Sequence, residues 1–337
     1  MKKFYLILLI CITILIFSQE KAITMQRVES LSWVEPYPVG KIVEINELGD
    51  IFAVDNSDKA YYLKDGSNSW VQILDQYYNL NITGFYSAPD NSIFVMTKTG
   101  LYHSTNSSSY SMSKILVETE IFSTAVNSLG TIYSGTTDGL YRSDDNGVSW
   151  AISYTYPLKM AIDNNDVIYI EEYNSGLCRS YDNGDTWEEI NSNLSKDMEI
   201  NDIEIATDGT VFVSVKDNGL YKLSGDIWVI DTPNATIMHA GKDGFMYCSS
   251  YDTIYKKATT DNFWTPVKDS MGNITSFSSN SGKIIAAYAD DMLIFESIDS
   301  GNTWTTNGQI IYPTILSLLT FNNYVFVGTG DGFYRSV

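Results

Sequence analysis

Ser143-Asp144-Asp145-Asn146-Gly147-Val148-Ser149-Trp150 decides the fold of this chain. The same pattern returns as Ser180-Tyr181-Asp182-Asn183-Gly184-Asp185-Thr186-Trp187 and as Ser297-Ile298-Asp299-Ser300-Gly301-Asn302-Thr303-Trp304. A short acceptor at the third position, Asp145, Asp182 or Asp299, reaches backbone N–H groups of its own turn. The glycine two residues later, Gly147, Gly184 or Gly301, takes a positive φ that other residues resist. Each octet therefore reads as a self-bonded hairpin turn. The tryptophan then opens the next strand with a large apolar surface, and its indole N–H needs a partner when buried. Trp150, Trp187 and Trp304 are accordingly placed between neighbouring sheets.

Working outward, a glycine, an apolar residue and an aromatic recur as Gly100-Leu101-Tyr102, Gly139-Leu140-Tyr141, Gly219-Leu220-Tyr221 and Gly332-Phe333-Tyr334. Looser versions put Tyr62, Cys178, Tyr255 and Phe295 at the aromatic position, so the spacings are 40, 39, 37, 43, 34, 40 and 39 residues. Such a period, filled with β-branched and aromatic runs and punctuated by glycine and asparagine, predicts a propeller of four-stranded blades. No segment carries a helical period. In the unit around Tyr141, Ile121 to Val126, Thr131 to Ser134, Gly139 to Ser143 and Ser149 to Ile152 read as strands a to d. The last unit, from Thr314 to Val337, supplies three strands, and Leu31-Ser32-Trp33-Val34 reads as the missing fourth. Pairing the two leaves no open sheet edge. The expected fold is all-β: an eight-bladed propeller of antiparallel blades closed by the N-terminal strand. Seven blades are the alternative, should the degenerate unit ending at Ser111 pack irregularly.

On the octets and markers, the chain resembles the Asp-box, or BNR-repeat, β-propellers, strongly at three boxes and weakly elsewhere. Leu63 to Trp70 lacks the glycine, Leu223 to Trp228 is shortened, Lys257 to Trp264 has lost the serine and glycine, and Ser104 to Ser111 has no tryptophan. The family includes bacterial sialidases, xyloglucan-cleaving glycosidases, sortilin-type receptors and photosystem assembly factors. The box is a folding element in all of them and implies no activity. Ser143, Asp145, Gly147 and Trp150, with Ser180, Asp182, Gly184 and Trp187 and with Ser297, Asp299, Gly301 and Trp304, are thus structural.

Residues 1–19 open with Lys2 and Lys3, run apolar from Phe4 to Phe17 and end at the small Ser18, which predicts a cleavable signal peptide and an exported protein. The expected location is periplasmic, cell-surface or secreted, with residues 20–337 forming one propeller domain and no membrane span left after cleavage. The formal charge of −20 becomes −22 without Lys2 and Lys3, with 41 acidic and 19 basic residues remaining. That field repels nucleic acid and anionic lipid. A monomer is expected.

Cys178 and Cys248 fall in blades that are not neighbours, which predicts free buried thiols. Cysteine catalysis needs a base nearby, and His103 and His239 lie in different blades, so neither that chemistry nor a metal pair is expected. No phosphate loop or dinucleotide fingerprint occurs, and no cofactor is expected. Sialidase-type chemistry needs clustered arginines. Arg142, Arg179 and Arg335 instead follow the marker aromatic in three separate blades, Arg27 lies in the N-terminal tail, and the Arg-Ile-Pro start of that family is absent.

Paired carboxylates remain. Glu171-Glu172 and Asp290-Asp291 read as loops between second and third strands, on the face opposite the boxes, and are the catalytic candidates for glycoside hydrolysis. Tyr173, Tyr37, Tyr77, Tyr78, Tyr154, Tyr156 and Tyr312 are expected around the same rim. Aromatic platforms interleaved with acceptors suit a sugar or an extended peptide, although 24 tyrosines in an all-β chain populate every face. Two readings follow: a non-enzymatic binding or scaffold propeller for a glycan or protein ligand, and a glycan hydrolase using two rim carboxylates. A photosystem-type assembly factor fits the length and export, with nothing in the residues to select that partner.

Overall fold

The structure, a computed structural model, describes residues 25–27 and 39–336, apart from 47, 56–57, 66, 68–69, 75–79, 105–108, 118, 154, 173–174, 232–234, 236, 242, 251, 270–273, 281–282, 289–292, 310–314, 322–323 and 330–331. Among the described residues there is no helix, and the strands fall into eight four-stranded antiparallel sheets. Sheets 1 to 8 begin in chain order with Val39–Ile45, Ile82–Ser87, Ile121–Val126, Pro157–Ile162, Ile200–Ile205, Ile237–Ala240, Ile274–Asn280 and Ile315–Phe321. Each first strand touches the first strand of the next sheet, and Val39–Ile45 also touches Ile315–Phe321. The first strands are therefore innermost and the arrangement is propeller-like.

The unit ending at Ser111 forms a regular sheet, of Ile82–Ser87, Ile93–Thr97, Gly100–Ser104 and Ser113–Val117. In sheet 3 the second strand is Ile132–Thr136 and the fourth is Ala151–Ser153, each displaced C-terminally from its predicted start. The N-terminal partner of sheet 8 differs from the prediction in place. Met25–Arg27 pairs with Gly332–Ser336 in the register Met25↔Ser336, Gln26↔Arg335, Arg27↔Tyr334. Leu31 to Val34 lies outside the described residues. Met25-Gln26-Arg27 carries no tryptophan or β-branched residue, so pattern alone does not mark it as a strand.

The second strands show why the sheets stack. Ile132–Thr136 and Val211–Val215 are buried at every position, because each sheet packs against a neighbour on both faces; Val211–Val215 is accordingly near-continuously apolar, while Ile132–Thr136 also buries Ser134 and Thr136. Tyr133 and Leu140 of sheet 3 pack with Ile168, Ile170 and Cys178 of sheet 4, and Val167, Tyr169 and Leu177 of sheet 4 with Ile203, Val213 and Trp228 of sheet 5. At about 1.5–3 kcal/mol per fully buried large side chain, these inter-sheet seams dominate the core.

Candidate functional site

The three octets close as the sequence implies. Asp145 accepts from Ser149 N (2.8 Å), Ser149 Oγ (2.6 Å) and Ser143 Oγ (2.8 Å), while Ser143 Oγ accepts from Gly147 N (2.8 Å). Asp182 and Asp299 repeat the pattern with Thr186 and Ser180 and with Thr303 and Ser297. These bonds, the one from the Ser149, Thr186 or Thr303 hydroxyl foremost, hold each carboxyl at about 2. Gly147 and Gly301 have φ of +83° and +84°, and a Cβ on either would lie 2.7 Å from Ile115 or Val267 on the outer strand of the preceding sheet. The residues before them, Asn146, Asn183 and Ser300, are also left-handed.

Each aromatic at the end of a turn staples its sheet to the one before. Trp150 Nε1 donates to Ile115 O at 2.8 Å, Trp304 Nε1 to Val267 O at 2.7 Å and Trp228 Nε1 to Ile190 O. Trp187 packs against Tyr133 and Leu140 with its buried Nε1 unpartnered, a departure from the expected pairing. Where the octet is degenerate, other chemistry takes over. Tyr110 replaces the missing tryptophan of the unit ending at Ser111: it lies edge-on to Phe52 and Tyr62, and its hydroxyl donates to Asp50 Oδ2 at 2.6 Å. In sheet 6, Lys257 stands where the serine would be. It is buried and pairs at 2.5 Å with Asp231 of the preceding sheet, and Trp264 Nε1 bonds the other oxygen of that carboxylate at 3.1 Å.

The basic residues after the marker aromatics point the other way around. Arg142 bonds Asp144 and reaches Asn183 O and Asp185 in the next sheet's turn, Arg179 bonds Glu188 and Asp226, and Lys256 bonds Ser300 O. These cations tie neighbouring sheets together and do not converge on a common point.

Of the rim residues predicted from sequence, Tyr37, Tyr77, Tyr78, Tyr154, Tyr173, Tyr312, Asp290 and Asp291 lie outside the described residues. Glu171 and Glu172 close the second strand of sheet 4, Ile168–Glu172, rather than a loop. The Glu171 side chain is buried and accepts from Ile200 N at 3.1 Å, joining sheet 4 to sheet 5. Glu172 is half-buried and Tyr156 is 36% exposed beside the first strand of sheet 4.

The inner strands add what the sequence reading missed. In sheets 2 to 5 each begins with a β-bulge, between Ile82 and Gly84, Ile121 and Ser123, Pro157 and Lys159, and Ile200 and Asp202. A bulge leaves the extra residue unpaired and re-aims its side chain. Thr83, Phe122, Leu158 and Asn201 occupy it, and Phe122 and Leu158 are 41% and 38% exposed. Sheets 3 and 4 meet tightly here, since a Cβ on Gly135 would lie 2.5 Å from Pro157 O and 2.6 Å from Ser123 Oγ. Next along the inner strand of sheet 5 stand Asp202 and Glu204, both half-buried. Burial, and secondarily the Asp202 charge, pushes Glu204 up to about 8, against an opposing bond from Ala240 N in sheet 6. Burial likewise raises Asp202 and Glu171, with Lys159 opposing both. Asp202-Ile203-Glu204-Ile205 alternates acid with isoleucine, a period-2 signal that could have placed both acids on one face of their strand.

His103 is buried and stacked on Phe94 at 4.1 Å, and His239 lies on the inner strand of sheet 6, so the two histidines are in separate sheets. Cys178 and Cys248 are buried, unlinked and in separate sheets. Among the described residues no group of three His, Cys, Asp or Glu is placed to hold a metal ion, and no helix is long and apolar enough to cross a membrane.

No family model and no curated protein matches the chain. Solved structures do. A computationally designed protein, Ika8, is similar at 11% identity with a TM-score of 0.68, over 89% of this chain and 96% of that one. YCF48 bound to D1 peptide is similar at 12% identity and TM-score 0.57, over 95% and 98%. The Niastella koreensis GH74 enzyme is similar at 16% identity and TM-score 0.58, over 93% of this chain and 53% of that one, so the chain spans about half its length. At these identities the likeness establishes a β-propeller fold and carries no activity across.

Proposed function

We propose that this chain is an exported, non-enzymatic binding or scaffold propeller of Asp-box type that recognises a glycan or protein ligand at the rim opposite the octets. In this reading residues 1–19 are a cleaved signal peptide, 20–337 are one monomeric domain, and eight blades close into a ring through Met25–Arg27. The successive contacts of the first strands, including Val39–Ile45 with Ile315–Phe321, support the ring. One observation carries the functional part: exposed Phe122, Tyr156 and Leu158 stand where the bulged starts of the inner strands of sheets 3 and 4 meet, with Glu172 paired opposite Pro157. The octet aspartates and the post-marker arginines are engaged in folding, and Glu171 holds a backbone N–H, which leaves binding as the simplest use of the rim. YCF48, similar over nearly its whole length, has been solved with a bound peptide, which agrees with a protein ligand here.

A second reading, a glycoside hydrolase, has support in the Asp202–Glu204 pair. Residues two apart on one strand share a face, and a carboxyl protonated near neutrality suits a general acid. The purified mature chain, screened on a glycan array with reducing-sugar release measured in parallel, separates the two. Binding without turnover that weakens in Tyr154→Ala or Tyr156→Ala is expected. Turnover lost in Glu204→Gln, Glu172→Gln or Asp291→Asn would replace the module with the enzyme.

A further inference from the structure

We propose that Asn218-Gly219 is a self-modification site, where the asparagine converts to aspartate or isoaspartate, while the octet serines Ser143 and Ser180 keep the same dipeptide inert at Asn146-Gly147 and Asn183-Gly184. The reaction goes beyond the binding reading and needs no ligand.

Asparagine followed by glycine is chemically labile, because no Cβ hinders approach to the glycine nitrogen. That nitrogen gives up its proton and attacks the asparagine Cγ. A new N–Cγ bond closes a succinimide ring as the Cγ–Nδ2 bond breaks, and the amide group leaves with a proton as ammonia. Water then opens either carbonyl of the ring, giving aspartate or isoaspartate and one new negative charge. The chain holds four such dipeptides, at Asn146, Asn183, Asn218 and Asn307.

In the octets the attacking atom is already engaged. Gly147 N donates to Ser143 Oγ and Gly184 N to Ser180 Oγ, both at 2.8 Å. Each hydroxyl is itself fixed, donating to Asp145 or Asp182 at 2.8 Å. The glycine nitrogen therefore cannot reach the asparagine side chain until the turn opens. Asn218 is placed otherwise. It is exposed in the hairpin between Val211–Val215 and Gly219–Ser224 of sheet 5, which lies at the end of the sheet opposite the octets. Val215 stands opposite Gly219 and has no side-chain oxygen, whereas in the matching hairpin of sheet 3 Thr136 Oγ1 accepts from Gly139 N at 3.2 Å. The Val215 carbonyl accepts from Asn218 N at 3.1 Å. Asn218 Nδ2 reaches Met198 Sδ at 3.4 Å, a weak acceptor that leaves the side chain loosely held. The nearby Lys216 ammonium is already bonded to Glu199 at 2.7 Å. Conversion thus adds a negative charge to the rim at which the ligand is proposed. Asn307 lies in the strand Thr305–Gln309, and its side chain is outside the described residues.

The test is peptide mapping by mass spectrometry of the purified mature chain after incubation in mildly alkaline buffer, with isoaspartate separated from aspartate by chromatography. Asn218 is expected to take the amide-to-acid mass change while Asn146 and Asn183 keep their amides. Ser143→Ala should speed conversion of Asn146 by about fivefold, the rate factor that one ordinary hydrogen bond represents. Ser143→Thr, which keeps the hydroxyl, should not. Ser149→Ala removes a different bond of the same octet, the one to Asp145 at 2.6 Å, and leaves Ser143 on Gly147 N. It should leave Asn146 unconverted, which separates the serine lock from general loosening of the turn. An intact Asn218, conversion of Asn146 or Asn183 as fast as that of Asn218, or no change in Ser143→Ala overturns the inference. Equal acceleration by Ser149→Ala overturns it too. Ligand binding plays no part in the readout, so the binding module and this chemistry stand or fall separately.

Discussion

Asp145, Asp182 and Asp299 sit on the surface, yet each carries a turn, because two hydroxyls and a backbone N–H converge on one carboxylate. Their carboxyls are held at about 2, below the unfolded value of about 3.9. The stability they contribute is present above the unfolded value and is lost as pH falls through about 2. The melting temperature of the triple Asp→Asn variant should therefore fall less than that of the parent between about pH 4 and pH 2. Glu204 behaves oppositely. Its raised value contributes stability that is complete below the unfolded carboxyl range and is lost as pH rises through about 8. Glu204→Gln should flatten that alkaline decline, which at most amounts to about 1.4 kcal/mol per pH unit. The octet glycines give a sharper contrast. Gly301→Ala meets both a left-handed backbone and Val267, whereas Gly209, at φ +85°, has nothing within 4 Å of its Cβ direction. Gly209→Ala should cost about 1 kcal/mol of backbone strain and Gly301→Ala about 1–3 kcal/mol more, read from denaturant midpoints. The third-position acceptor and the glycine are legible in sequence because their chemistry is local. Tyr110 is not, since its partners Asp50, Phe52 and Tyr62 are more than a whole repeat away.

At the scale of the element, the same joint between sheets is made in several ways: indole to carbonyl at Trp150, Trp228 and Trp304, phenol to carboxylate at Tyr110, and an ion pair with an indole at Lys257, Asp231 and Trp264. This is why the period survives where the octet decays. The Lys257–Asp231 joint is the most sensitive, because removing one partner leaves a buried charge without its counter-charge. Asp231→Ala should destabilise by about 3–5 kcal/mol, and the double change Asp231→Leu with Lys257→Met should recover most of it. The strand count per unit and the marker aromatics were legible because short runs of β-branched and aromatic residues recur between glycine and asparagine turns. The inner-strand bulges were not. A bulge shows itself in pairing register, and nothing in Ile121-Phe122-Ser123 or Pro157-Leu158-Lys159 announces one. Hence Phe122 and Leu158 are not legible as exposed rim residues from the sequence.

For the whole molecule, the proposed ring of eight sheets has its last sheet completed by Met25–Arg27. Met25–Arg27 covers the edge that Gly332–Ser336 would otherwise expose to other chains. The most direct test is a cross-link across that joint. Gln26 and Arg335 are directly opposed, at the Cα separation of about 4.5–5.5 Å that antiparallel partners share and a disulfide accepts. In Gln26→Cys/Arg335→Cys, mild oxidation should give one intramolecular disulfide between the N-terminal and C-terminal peptides, with a higher melting temperature than the reduced form. Thiols that stay unlinked, or that link only between molecules, would contradict the closed ring.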